Sequence, residues 1–204
     1  MDVSGRVLDW LYGVMASPVE ALRAVAEEKP VWWAFAVVVG AVTLLSFGML
    51  SQANLDALPG VTFEDLLGSV LIVAIVASTV GYFIGVGILH LAALLFGGEG
   101  SFAGLVSAMG FAQFPALLLL PLMVLARVGG PVVAGLSTVA SIGVVVWVAA
   151  LSVISLREAH GMSTRAAIGT CVFSIVIPVA ALVGLALLVV VIAGIIGAGS
   201  SIAL

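Results

Sequence analysis

Residues 85–121 read GVGILHLAALLFGGEGSFAGLVSAMGFAQFPALLLLP. Two apolar runs flank a short polar hairpin, Gly97-Gly98-Glu99-Gly100-Ser101-Phe102. The first run carries His90, one of two histidines in the chain, and the second is interrupted at Gln113-Phe114-Pro115. Glu99 is the one charge between Asp65 and Arg127. Apolar helices joined by so short a turn must lie side by side, and with no charge to turn outward their solvent is hydrocarbon. This antiparallel pair of spans sets the pattern for the rest of the chain.

Composition agrees. Of 204 residues, 64% are hydrophobic and 8% charged, with a mean hydropathy of +1.41. Soluble domains carry about 25% charged residues, so this chain cannot coat a water-facing surface. It reads as an all-α polytopic membrane protein, with residues 1–30 as interfacial helices and residues 31–204 as a five-helix transmembrane domain. Ten acids against six bases give a net charge of −4, which argues against a nucleic-acid partner. The single cysteine, Cys171, has no internal disulfide partner and reads as a packing residue. The first long apolar run begins at Val31 behind a segment of mixed charge, unlike the short basic start of a signal peptide, so that span is expected to remain as an anchor.

Along the chain, Val3, Val7, Trp10, Leu11, Val14 and Met15 fall at helical spacing, with Asp2, Arg6 and Asp9 on the other side. This spacing predicts an amphipathic helix in the headgroup region, with Trp10 and Tyr12 at its boundary. Ser17-Pro18-Val19-Glu20 has capping-box spacing with proline at the first helical position, and Pro30 ends the second helix. Spans follow at residues 31–50, 66–96, 102–127, 132–156 (continuing to His160) and 163–196. Trp32 and Trp33 belong to the aromatic belt. Gly81-x-x-x-Gly85 predicts a close helix contact. Ser101 and Ser163 are N-caps, Gly161 is a C-cap, and Pro115, Pro121 and Pro178 are kinks. Gln113 is placed to satisfy a carbonyl freed at Pro115.

Orientation follows from positive charge. Five spans put Arg6, Arg23, Lys29, Arg157 and Arg165 on one side and Arg127 on the other. The N-terminus, the 97–101 hairpin and the 157–165 loop are therefore expected in the cytoplasm, with the C-terminus outside the cell membrane.

Several of these features together resemble a known family. They are Ser17-Pro18, then Lys29-Pro30 ahead of a span, His90 before Gly97-Gly98-x-Gly100-Ser101-Phe102, Pro115 and Pro121, and residues 156–167 (LREAHGMSTRAA) leading into the fifth span. Over roughly residues 17–190 the chain is similar to the Yip family (Ypt/Rab-interacting membrane proteins), in its prokaryotic branch. The resemblance implies five membrane helices with a cytoplasmic N-terminus. Eukaryotic relatives bind prenylated small GTPases and one another in vesicle traffic, which would make a small GTPase a partner by analogy. Their long N-terminal region with an acidic-aromatic-glycine-proline segment has only Asp9-Trp10-Leu11-Tyr12-Gly13 as a counterpart here, without the proline.

No phosphate loop, His-Glu-x-x-His, Cys-x-x-Cys or Gly-x-Ser-x-Gly pattern occurs, and no catalytic residue is assigned. Pairing of His90 with Ser107 or Ser141 would be needed for an intramembrane serine hydrolase. Four residues expected on the cytoplasmic side, His90, Glu99, Glu158 and His160, have the chemistry to hold a divalent metal such as zinc. Each also has an ordinary reading: His160 at a helix C-terminus, Glu158 paired with Arg157 or Arg165, Glu99 in water, His90 bonded to a carbonyl. The expectation is no cofactor and no stoichiometric metal. His90 and Gln113 are expected to share a polar pocket between the second and third spans, because an ionisable residue in a span needs a partner or a hydrated cavity. The function expected is a non-enzymatic membrane scaffold or trafficking-like organiser that contacts lipid and binds other membrane proteins or itself. The alternative is a transporter or channel for a small solute, ion or lipid.

Overall fold

The computed structural model describes residues 3–51, 62–177 and 179, all of them helical or in short connections, with no strand among them. In order, the helices are α1 (Val3–Ala16), α2 (Pro18–Glu28), α3 (Val31–Ser51), α4 (Phe63–Leu95), α5 (Phe102–Ala112), α6 (Leu119–Val128) and α7 (Gly130–His160), and a 3-10 turn, Phe114–Leu118, joins α5 to α6. A shorter apolar helix, α8 (Thr164–Ile177), follows. Among the described residues four stretches are long and apolar enough to cross a membrane: Val31–Ser51, Leu66–Leu95, Phe102–Val128 and Gly130–His160. The chain is an all-α polytopic membrane protein. α8 begins where the fifth span is expected. The rest of that expected span, Pro178 and the C-terminal end lie outside the described residues, as do residues 52–61.

Local chemistry sets the helix ends. The Ser101 hydroxyl accepts a hydrogen bond from the Gly104 N–H at 3.2 Å, and Ser163 accepts from Ala166 at 3.2 Å. Gly161 closes α7 in the left-handed region at φ 63°. Lys29, at φ 55°, ends α2 by donating its N–H to the Val25 carbonyl at 2.9 Å. The capping box at Ser17 does not form: its side chain makes no cap bond. Backbone bonds carry that junction instead, Ser17 N–H to Gly13 O at 2.7 Å and Ala21 N–H to Ser17 O at 3.1 Å.

Pro115 breaks the third span as its missing donor requires, and the chain tightens into the 3-10 turn. The backbone of Gln113 bridges the break: its N–H donates to Gly110 O at 3.2 Å and its carbonyl accepts from Ala116 N–H at 2.9 Å. Its side chain makes no N-cap bond to this turn. Pro121 falls in the first turn of α6, where its lost donor costs little, and α6 continues past it.

α3 and the α5–α6 span run away from the end of the bundle that carries α1 and α2, while α4 and α7 return to it. That end, called the capped end below, holds the 96–101 hairpin and the 161–163 turn. At the far end Arg127 Nη1 donates to the Ser51 carbonyl at 2.9 Å. Arg6, Arg23, Lys29, Arg157 and Arg165 thus fall at the capped end and Arg127 at the far end, the partition expected from sequence.

The amphipathic N-terminal helices are present, but their apolar faces are buried in protein. Val14, Leu22 and Val25 are fully enclosed, in one cluster with Ala34 of α3, Phe111 of α5 and Leu151 of α7. Trp10, expected at the lipid boundary, instead meets Phe111 edge-on, with ring centroids 5.6 Å apart. The Arg6 guanidinium lies over the Trp10 ring and also pairs with Glu28. Residues on both sides of position 30 therefore share one core. Tyr12, Trp32 and Trp33 remain exposed.

The close helix approaches are not at Gly81 and Gly85, where an added Cβ would meet nothing within 4 Å. They are at Gly110, whose added Cβ would stand 2.7 Å from Ala34 Cβ, and at Gly104, where it would stand 2.7 Å from the Ala26 carbonyl. Hydroxyls crossing between helices are satisfied on carbonyls, Tyr82 on Val106 and Ser155 on Ala108.

Candidate functional site

The capped end brings the hairpin against the last turn of α7, and glycine makes that approach possible. A Cβ on Gly98 would come within 2.9 Å of His160 Cβ, and one on Gly100 would collide with the Ala159 carbonyl. Gly97 turns the chain at φ 82°. The hairpin is fixed by Gly98 N–H to Ala93 O at 2.9 Å and Glu99 N–H to His160 O at 3.2 Å.

This docking sets α4 beside the end of α7. His90 Nδ1 faces His160 Nε2 at 2.9 Å, with ring centroids 5.1 Å apart. Phe102 also packs on His90, with ring centroids 5.7 Å apart. His160 is buried, 3% exposed, while His90 is half-buried. The Nδ1 of His160 is enclosed and has no hydrogen-bond partner. At a separation of 2.9 Å one ring must present a lone pair to the other, so at least one of the two imidazoles facing each other is neutral.

Depth follows from helix length. α4, with 33 residues, and α7, with 31, exceed what about 30 Å of hydrocarbon requires. The last turn of α7 carries Arg157 next to Glu158, so the histidines sit at the polar end of the bundle.

Of the four metal candidates, the structure joins His90 with His160 and sets Glu99 on the rim of a cleft of about 480 Å³ that His160 also lines. It draws Glu158 away. The Glu158 side chain, 7% exposed, accepts from Arg23 Nε at 2.7 Å and from Arg157 Nε at 2.7 Å. The hydrogen bond to Glu158, then its charge, holds the Arg23 pKa above its ordinary value. Arg157 also reaches Thr164 at 3.2 Å and braces the turn into α8. Among the described residues no group of three or more histidine, cysteine or acidic side chains stands together as a metal site.

Gln113 lies elsewhere. It lines a cleft of about 210 Å³ with Ser78 and Tyr82. Tyr82 is two helical turns, about 12 Å, from His90 along α4, so the structure does not bring His90 and Gln113 to one cavity. The serine candidates are also apart from this chemistry. Ser141 donates to its own helix at Ser137 O, 2.8 Å, and the Ser107 hydroxyl is buried without a partner.

Arg23 was not singled out by sequence reasoning, although it closes the head onto α7. Its signal was there: an isolated base on the apolar-faced helix α2, facing an end of the chain where Glu158 is the nearest acid to the α7 cap.

No curated protein and no solved structure matches the chain. A family model, the Yip1 domain, matches residues 12–188, from α1 through the hairpin and the α7–α8 turn. The match takes in most of the chain, with the last turn of α1 and the whole of α2, the hairpin and the α7–α8 turn, and the chain belongs to the Yip1 domain family.

Proposed function

We propose that this chain is a non-enzymatic membrane scaffold that presents its capped end to the cytoplasm and there binds other membrane proteins or a second copy of itself. The observation that carries the reading is the head. α1 and α2 are packed into the bundle core and clamped to α7 by Arg23 and Glu158, so their polar faces form a fixed surface. A preformed surface binds without the ordering cost of a loose tail. The excess of basic residues at this end favours the cytoplasmic side of the cell membrane. A small GTPase is a partner by family analogy.

A second reading, lipid movement, is favoured by one feature. An apolar cleft of about 410 Å³ lies between α4, α7 and α8, lined by Leu89, Val153 and Ile175 among others. Two assays separate the readings. Photo-crosslinkers placed at exposed Tyr12 and Arg165 in native membranes should yield discrete protein adducts, and reconstituted liposomes should show no solute flux or lipid scrambling. Flux or scrambling without adducts would overturn the scaffold.

A further inference from the structure

We propose that the facing rings of His90 and His160 form a pH-sensitive latch, which holds the 97–101 hairpin on the last turn of α7 near neutral pH and lets it lift as the rings take up protons. The inference concerns the hairpin and does not rest on the scaffold reading.

The docked form has room for few protons. Two neutral imidazoles carry one N–H proton each. The gap of 2.9 Å between His90 Nδ1 and His160 Nε2 admits one of the two. The other must sit on an outer nitrogen, either Nε2 of half-buried His90 or Nδ1 of His160. His160 is 3% exposed, and its Nδ1 is enclosed with no hydrogen-bond partner. A proton there would be a buried donor without an acceptor, so the docked pair keeps its second proton on His90. A third proton has no good place. It would enter a gap already filled or land on the enclosed Nδ1, with a positive charge held away from water.

The hairpin closes over this ring. A Cβ on Gly98 would stand 2.9 Å from His160 Cβ, and the Glu99 N–H donates to the His160 carbonyl at 3.2 Å. Lifting the hairpin gives the rings water, where an ordinary imidazole takes its proton near about pH 6.5. The open form then holds up to two more protons than the docked one. Docking is therefore secure above about pH 6.5 and is lost as the pH falls below it, by about tenfold per pH unit for each extra proton. The cleft of about 480 Å³ that His160 lines brings water to the latch.

The charges on the surrounding elements are of other kinds. The hairpin carries Glu99, exposed and lining the same cleft. On α7, Arg157 and Glu158 bind each other, and Arg23 of α2 holds Glu158 as well. Glu27 of α2 lines the neighbouring cleft. α8 brings Arg165 and Cys171, α5 carries no titratable group, and α4 has its other charges, Glu64 and Asp65, at its far end. Carboxylic acids ordinarily titrate near pH 4, thiols above pH 8 and arginines higher still, which leaves the two histidines to act between pH 5.0 and 7.5.

Hydrogen–deuterium exchange of the full chain in detergent tests the latch, with rates corrected for the intrinsic effect of pH. Protection of the amides of residues 97–101 should fall at least tenfold between pH 7.5 and 5.0, while α2 keeps its protection. His160→Gln should give a flat profile, and Glu99→Gln should keep the fall. Unchanged hairpin protection in the unmutated protein would overturn the proposal. So would an equal loss in α2, a fall that persists in His160→Gln, or one that vanishes in Glu99→Gln. Should His160→Gln fail to remain monodisperse, the unmutated protein and Glu99→Gln decide the matter.

Discussion

The Nε of Arg23 donates to the carboxylate of Glu158 at 2.7 Å and joins residues 135 positions apart in sequence. The acid is almost enclosed and the base lies at the surface, with side-chain exposures of 7% and 57%. This contact ties the N-terminal head to the end of the fourth long helix.

Loosening of the head is the expected consequence of breaking it. Glu158→Gln and Arg23→Glu should each speed proteolysis within α1 and α2, and Glu158→Arg combined with Arg23→Glu should recover most of the protection. High salt should weaken the contact only in part, since one partner is shielded from solvent. Identical digestion of all variants would show that apolar packing alone holds the head.

Packing at glycine gives a paired prediction. Gly110→Ala sets a methyl against Ala34 Cβ and its carbonyl, at 2.7 and 2.9 Å, where backbone cannot yield. It should destabilise the protein by about 1–3 kcal/mol in a detergent unfolding assay. Gly81→Ala enters open space and should be neutral or stabilising by up to about 1 kcal/mol. The reverse ranking would place the helix contact where the Gly81-x-x-x-Gly85 spacing suggested.

Trp10 and Tyr12 separate a packed head from one lying on lipid. Trp10→Ala removes the edge contact to Phe111 and should cost about 3–5 kcal/mol, while Tyr12→Ala, at a position 74% exposed, should change stability little. Equal small effects at both positions would return α1 to the headgroup region.

Much of this architecture was legible in the sequence because it is local. Ser101, Ser163, Gly161 and Lys29-Pro30 mark helix ends through bonds to neighbours a few residues away, and hydropathy marks the spans. Three features escaped because they depend on distant partners. Arg23 finds Glu158 only after the helices fold back. Glycine spacing does not say which helix lies opposite, so Gly81 and Gly85 face open space while Gly104 and Gly110 make the contacts. Amphipathicity shows that α1 has an apolar face, but lipid and the core of a bundle satisfy that face equally. At the candidate site, sequence placed His90, Glu99, Glu158 and His160 at one end, yet depth alone could not show that two of them touch or that Glu158 is held by arginine.

The central claim is that the head, the glycine hairpin and the α7–α8 turn share one side of a membrane, with Arg127 on the other. Single cysteines, Glu20→Cys, Glu99→Cys, Thr164→Cys and Arg127→Cys, in a Cys171→Ala background test it through labelling of intact cells with an impermeant thiol reagent. The account predicts that position 127 labels from outside while positions 20, 99 and 164 label only after permeabilisation. Labelling of any of those three from outside together with position 127 would contradict it.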